Sequence, residues 1–259
     1  ADMTKQEFID EVLTGLVAPP QYFPKNAVMN KMGYESIVEV RERGEKALSV
    51  RAFKAAWEGN EALVIDTRPQ DVFAKGFIPG SIFIGIDDTF APWVGALVTD
   101  LKTPILFVCE PGKEDEVVTR LARVGYDNSI GYLEGGFDAW KNAGEEVDTL
   151  HEVTAEAFAK KFNGTNLNLL DVRRASEYNT EHVVGAVNFP LDFINSNMAA
   201  VDREKTYYVH CAGGYRSVIA ASILKSRGFH NLVNIQGGYK ALCETPIKRT
   251  EHVEQVTEL

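Results

Sequence analysis

Short unbroken apolar runs alternate along the chain with longer stretches whose apolar residues recur at helical spacing. Leu167 to Val172, Tyr207 to His210 and Leu232 to Ile235 are runs of buried-strand length. Between the last two, Ser217 to Arg227 spaces Val218, Ala221, Ile223 and Leu224 as a helix does and stops at Gly228, a residue suited to the left-handed turn after a helix. Thr154 is placed to cap another short amphipathic helix. Strands alternating with helices predict an α/β fold in which a mostly parallel sheet is flanked by helices. Near the start, Phe8, Ile9, Val12, Leu13 and Leu16 share one face of a helix ended by Gly15 to Pro20. Tyr22-Phe23-Pro24 reads as extended, Glu35 to Gly44 as a connecting helix, and the chain from Arg249 onward as a loose polar tail.

The pattern occurs twice. Laying residues 49–68 beside 154–173 pairs Phe53 with Phe158, Trp57 with Phe162, Gly59 with Gly164, Asp66 with Asp171 and Arg68 with Arg173, always 105 positions apart. Downstream, Glu134-Gly135-Gly136-Phe137 answers Gln236-Gly237-Gly238-Tyr239 at a separation of 102. A period this long means duplicated domains, since solenoid repeats are shorter. The expected organisation is an arm at residues 1–45, a first domain at 46–148 and a second at 149–259, with the boundary in the polar stretch near Asn142 to Glu146.

Composition narrows the function classes. With 27 basic and 37 acidic residues the net charge is −10, which removes the basic footprint used by most partners of nucleic acid or anionic membranes. No apolar run approaches the ~18 residues needed to span a bilayer. The opening residues also lack the basic and apolar regions of a secretion signal, so the expected compartment is cytoplasmic. Cys109, Cys211 and Cys243 are odd in number and widely spaced, fitting neither a disulfide framework nor a thiolate zinc site. Histidines 151, 182, 210, 230 and 252 show no metal-ligand spacing, so no metal site is expected.

The candidate chemistry lies in Val209-His210-Cys211-Ala212-Gly213-Gly214-Tyr215-Arg216-Ser217. Cys211 follows a strand and precedes a helix, the position where sites form in parallel sheets. Two glycines allow the backbone to turn N–H groups inward, and the helix start adds its positive end. The loop is therefore an anion-binding concavity centred on sulfur, and its field, with Arg216, favours a nucleophilic thiolate.

On these residues the second copy resembles a rhodanese-like sulfurtransferase domain, and the chain from about 46 to 247 resembles two in tandem. The matching stretches are Asp171-Val172-Arg173, Glu177-Tyr178, His182 to Pro190, the Cys211 loop and Gln236 to Tyr239. The resemblance implies that Cys211 is catalytic and carries a persulfide. It further implies that Ala212, Gly213, Gly214, Tyr215, Arg216 and Ser217 cradle the bound sulfur and an anionic donor, and that Asp171, Arg173 and His182 are structural. A small anionic sulfur donor and a thiol or cyanide acceptor are the expected partners, and no cofactor is implied. The four-residue interval between Cys211 and Arg216 separates the chain from related phosphatases and arsenate reductases, whose loops are one residue longer. A non-catalytic docking module is the other alternative. Thr4 to Phe8, Leu16 through Pro24, Asn30-Lys31 and Gly33 also resemble the end of a metallo-β-lactamase-fold domain in persulfide dioxygenase/rhodanese fusions. That resemblance implies such a dioxygenase domain as a partner; the alternative is an independent chain with an N-terminal arm.

The first copy departs at the loop, reading Val108-Cys109-Glu110-Pro111-Gly112-Lys113-Glu114-Asp115. Three acidic residues oppose an anionic sulfur, Pro111 lacks an N–H, and no arginine follows, so this copy is expected to be inactive. Strand pairing aligns Cys109 with Cys211, whereas counting back from Gly125 and Gly228 points to Val108. Cys243 matches Lys141 and is expected to be at least half exposed, without a resolving role.

Overall fold

The structure, a computed structural model, describes residues 3–13, 23–24, 27–28, 31, 33, 35–86, 89–162 and 167–254. Leu16, Tyr22, Gly164 and the Gly15 to Pro20 segment therefore lie outside the described residues. Helix α1 (Lys5–Leu13) buries no side chain. Phe23 and Pro24 are helical instead of extended, within the φ that proline allows. Helix α2 (Ile37–Gly44) begins where Ser36 Oγ accepts from the Val38 amide.

The first domain contains β1 (Ala47–Leu48), α3 (Val50–Asn60), β2 (Leu63–Asp66), α4 (Gln70–Lys75), β3 (Ile82–Phe83), α5 (Phe90–Leu97), β4 (Ile105–Val108), α6 (Glu114–Ala122), β5 (Ser129–Leu133) and α7 (Gly136–Asn142). The second repeats the scheme with β6 (His151–Val153), α8 (Ala155–Phe162), β7 (Asn168–Asp171), α9 (Ala175–Thr180), β8 (Ala186–Asn188), α10 (Ile194–Asn197), β9 (Tyr207–His210), α11 (Tyr215–Ser226), β10 (Leu232–Ile235) and α12 (Gly238–Cys243). Each domain is a five-stranded parallel sheet, ordered β1-β5-β4-β2-β3 and β6-β10-β9-β7-β8. From β7 the chain moves outward to β8, and from β9 it moves the other way to β10. The crevice beyond the ends of β7 and β9 is thus the switch point of the second sheet.

Two local features differ from the expectation. Helix α11 begins at Tyr215, two residues before Ser217, because Gly214 at φ 108° supplies the left-handed turn that lets the strand enter the helix directly. The tail is tied down at its start: Arg249 bridges to Val183, the Thr250 amide donates to His182 O, and Arg249 pairs with Glu181. Those contacts give the backbone after Pro246 partners that its polar sequence did not reveal. Among the described residues, no helix is long and apolar enough to cross a membrane.

The two domains share one core. Phe73, Phe77, Phe83 and Phe90 of the first belong to the same buried cluster as Val218, Ile219, Ala220 and Leu224 of the second. Every residue from Ser217 to Leu224 is buried, because α11 packs on its own sheet on one side and on the edge strand β3 on the other. Ser222 Oγ accepts the Phe83 amide at 2.9 Å and donates to Ile219 O, capping the open sheet edge. Lys225 pairs with Asp148, and Asn195 Nδ2 donates to Leu97 O.

Ser222→Ala removes the acceptor of a buried N–H and should destabilise the chain by about 1–3 kcal/mol in urea denaturation. Intrinsic helix propensity alone would make the same change slightly stabilising, so the sign identifies the interdomain bond.

Candidate active site

The carboxyl ends of β7 and β9 supply the site's foundation. Asp171 closes β7, is fully buried, and accepts from Arg173 Nε at 2.9 Å, from Arg173 Nη2 at 2.6 Å and from the Arg173 amide at 3.0 Å. Arg173 also donates to Glu181 O and lies 3.8 Å from the Tyr239 ring centroid, so it ties the strand end to two loops. Asp66, Arg68, Gly76 O and Phe137 repeat this arrangement in the first domain. A buried pair of this kind costs desolvation, so breaking one side is far more harmful than its net worth suggests.

His210 is fully buried one residue before Cys211. Burial is the main influence and pushes its pKa down, with Asp171 opposing. The ring is therefore neutral near pH 7, and its 3.8 Å approach to Asp171 is no ion pair. His182 stacks on Tyr178 and places Nδ1 2.7 Å from Tyr178 O, well embedded in the second domain's wall.

Cys211 is 1% exposed, and the Gly214 amide donates to its Sγ at 3.1 Å. The amides of Tyr215, Arg216 and Ser217 are the first three of α11 and have no intrahelical acceptor. Ala212 is half-buried and Gly213 exposed, which leaves the loop's outer turn open to solvent. Ser217 Oγ donates to Gly214 O at 2.8 Å and so stiffens the loop. A second turn braces it from behind: the Tyr239 amide donates to Cys211 O at 2.6 Å and the Lys240 amide to Ala212 O at 3.0 Å. Gly238 is required here, because any Cβ would overlap the Cys211 carbonyl.

Arg216 is held in a bidentate pair, Nη1 at 2.6 Å and Nη2 at 2.8 Å from the Glu177 carboxylate. For Glu177, burial pushes the pKa up, and the Arg216 bonds and charge more than reverse it, leaving the carboxyl below its ordinary range. Sequence reasoning gave Glu177 no role and treated Arg216 as a free loop cation. The clamp is a contact between residues 39 positions apart, with no local signal in the spacing. The Tyr215 hydroxyl donates to Gly85 O of the first domain at 3.2 Å, another contact between distant segments.

The first-domain counterpart is different in kind. Asp66 pairs with Val108 as Asp171 pairs with His210, so Cys109 is the equivalent of Cys211 and the loop before the next helix is longer. Burial, then Glu114, Asp66 and Glu110, push the Cys109 thiol up to about 12. Cys243 is half-buried at the end of α12, with Arg249 Nη1 3.5 Å from its sulfur. Among the described residues, no group of histidine, cysteine and carboxylate side chains could hold a metal ion.

Two measurements follow from these charges. Glu177→Gln should flatten the stability of the protein against acid: the wild-type clamp is complete above the ordinary glutamate range and is lost as pH falls through the lowered Glu177 pKa. Equal acid profiles for the two proteins would contradict a working clamp. Iodoacetamide at pH 8 should leave Cys109 unmodified in the folded protein, read by peptide mapping.

A family model described as "Rhodanese-like domain" matches residues 49–143 and again 154–245. The thiosulfate sulfurtransferase PspE of Escherichia coli is 35% identical over 81 residues, covering 30% of this chain and 77% of PspE. YrkF of Bacillus subtilis is 31% identical over 101 residues, 39% of this chain, and the match spans about half of its length, 55%. A crystal structure of a rhodanese-related protein from Thermoplasma volcanium is 25% identical, covering 39% of this chain and 97% of that one, with a TM-score of 0.36. With both repeats matched, the chain belongs to the rhodanese-like family and carries two of its domains in tandem.

Proposed function

We propose that the protein is a sulfurtransferase that moves sulfane sulfur from thiosulfate, or a low-molecular-weight persulfide, to a thiol or cyanide through a persulfide on Cys211. The observation that carries this reading is the sulfur's setting: Cys211 Sγ receives the Gly214 amide at 3.1 Å at the mouth of a helix N-terminus, in a chain of the rhodanese-like family. PspE, named a thiosulfate sulfurtransferase, supports thiosulfate as donor.

In the first half-reaction the Cys211 thiolate attacks the sulfane sulfur of thiosulfate. The new S–S bond forms as the donor's S–S bond breaks, and sulfite leaves with the electron pair. Sulfur and charge then sit as a terminal persulfide anion, facing the unpaired N–H groups of the loop, which stabilise it as an oxyanion hole stabilises oxygen. In the second, cyanide or a thiolate takes the outer sulfur, giving thiocyanate or a new persulfide and restoring the Cys211 thiolate. No proton relay is needed, and neutral His210 behind the loop neither adds nor removes charge at the sulfur.

The first domain takes no sulfur in this scheme, since its thiol is pushed up to about 12 and is barely ionised near neutrality. Incubation with thiosulfate should add one sulfur to the intact mass, mapping to the Cys211 peptide. Cys211→Ser should lose both adduct and turnover, whereas Cys109→Ser should retain at least half of each. An adduct on Cys109, or transfer by Cys211→Ser, sinks the scheme.

A further inference from the structure

The Cys109 thiol of the first domain is buried and pushed up to about 12, yet this domain reaches the second domain's loop at its most sensitive point. Gln70, the first residue of α4, is half-buried, and its side-chain nitrogen lies 3.7 Å from where a Cβ on Gly214 would stand. Gly214 is the residue whose amide donates to Cys211 Sγ. Among the described residues the Gln70 side-chain amide has no hydrogen-bond partner. The elements that carry the two residues meet here: Tyr215, next to Gly214, packs edge-on against Phe83 at 5.4 Å and bonds to Gly85 O, while α4 packs against α11. The residue at the corresponding place in the second domain is Ala175, which offers no donor.

Building on the sulfurtransferase reading above, we infer that Gln70 is a donor-positioning residue of the Cys211 site. In this assignment its amide donates to the outer, anionic end of the sulfur donor while the loop amides hold the reacting sulfur. Arg216 is committed to Glu177, so the second domain lacks a free loop cation to do this, and a neutral amide from the neighbouring domain takes its place. Specificity for small anionic donors therefore comes from the domain that performs no chemistry. A hydrogen bond to a charged partner is worth roughly tenfold in binding when it is made in a partly buried site.

The test uses the full chain with Gln70→Met, which keeps length and removes the donor, and Gln70→Glu, which keeps shape and adds a negative charge. Glutamate at a first helical position suits the helix dipole, so folding is preserved. With thiosulfate and cyanide, Gln70→Met should raise the thiosulfate KM about fivefold to tenfold and leave kcat within twofold. A second readout needs no sulfur transfer: the ratio of iodoacetate to iodoacetamide alkylation rates at Cys211 should fall about threefold in Gln70→Met and about tenfold in Gln70→Glu, with the iodoacetamide rate itself steady. A changed ratio in a protein that takes up no sulfur keeps the anion-orienting role and rejects the sulfurtransferase reading. Normal sulfur loading with an unchanged ratio and KM rejects Gln70 and keeps that reading.

Discussion

Everything in this molecule leans on the burial of one helix from two sides. Helix Tyr215–Ser226 is apolar or small around its whole circumference from Ser217 to Leu224, and such a helix is stable only when it is enclosed. Its own sheet covers one face, and the edge strand and phenylalanines of the first domain cover the other. Because the Cys211 loop is the entry to this helix, the packing that joins the domains also fixes the loop. Ala220, Ala221 and Ser222 keep the helix slim enough for strand Ile82–Phe83 to approach within hydrogen-bonding distance.

The duplicated frame separates what both copies share from what differs between them. Both retain a buried aspartate paired to an arginine two residues on, with the arginine lying over an aromatic ring from the double-glycine turn. These pairs hold strand ends and loops together regardless of chemistry. The copies diverge above that frame. In the second, the turn approaches so closely that Gly238 admits no side chain beside the Cys211 carbonyl, whereas a Cβ added at Gly136 would stand 3.3 Å from Cys109 O. In the second loop the Gly214 amide donates to Cys211 Sγ, whereas in the first, one residue longer and acidic, Cys109 is buried and its thiol is pushed up to about 12.

The elements were legible because they rest on local patterns. Strands Tyr207–His210 and Leu232–Ile235 coincide with the apolar runs, and the 105-residue offset carries the scheme across the first domain. Cys211 was legible for the same reason: strand end, paired glycines and helix start are neighbours in sequence. What escaped were relations between distant segments. The Arg216–Glu177 pair, the Tyr215 hydroxyl on Gly85 and the amide of Gln70 over Gly214 depend on how two chain stretches meet in space. One hint was available, since the even spread of apolar residues around Ser217–Leu224 signals enclosure, but a helical-spacing reading finds only the face turned to its own sheet.

The bond from Phe83 to Ser222 spans 139 residues of sequence, and that distance has a consequence for biosynthesis. At typical translation speeds the edge strand of the first domain leaves the ribosome roughly 7–28 s before the helix that caps it. During that interval an unpaired N–H edge and its apolar flank, Phe83 among them, are open to other nascent chains. The danger is limited by the strand itself, which is only two residues long and offers little ladder for a stranger to extend. Brevity of that strand thus acts as a temporal safeguard, protecting an assembly whose final partner is always the last to arrive.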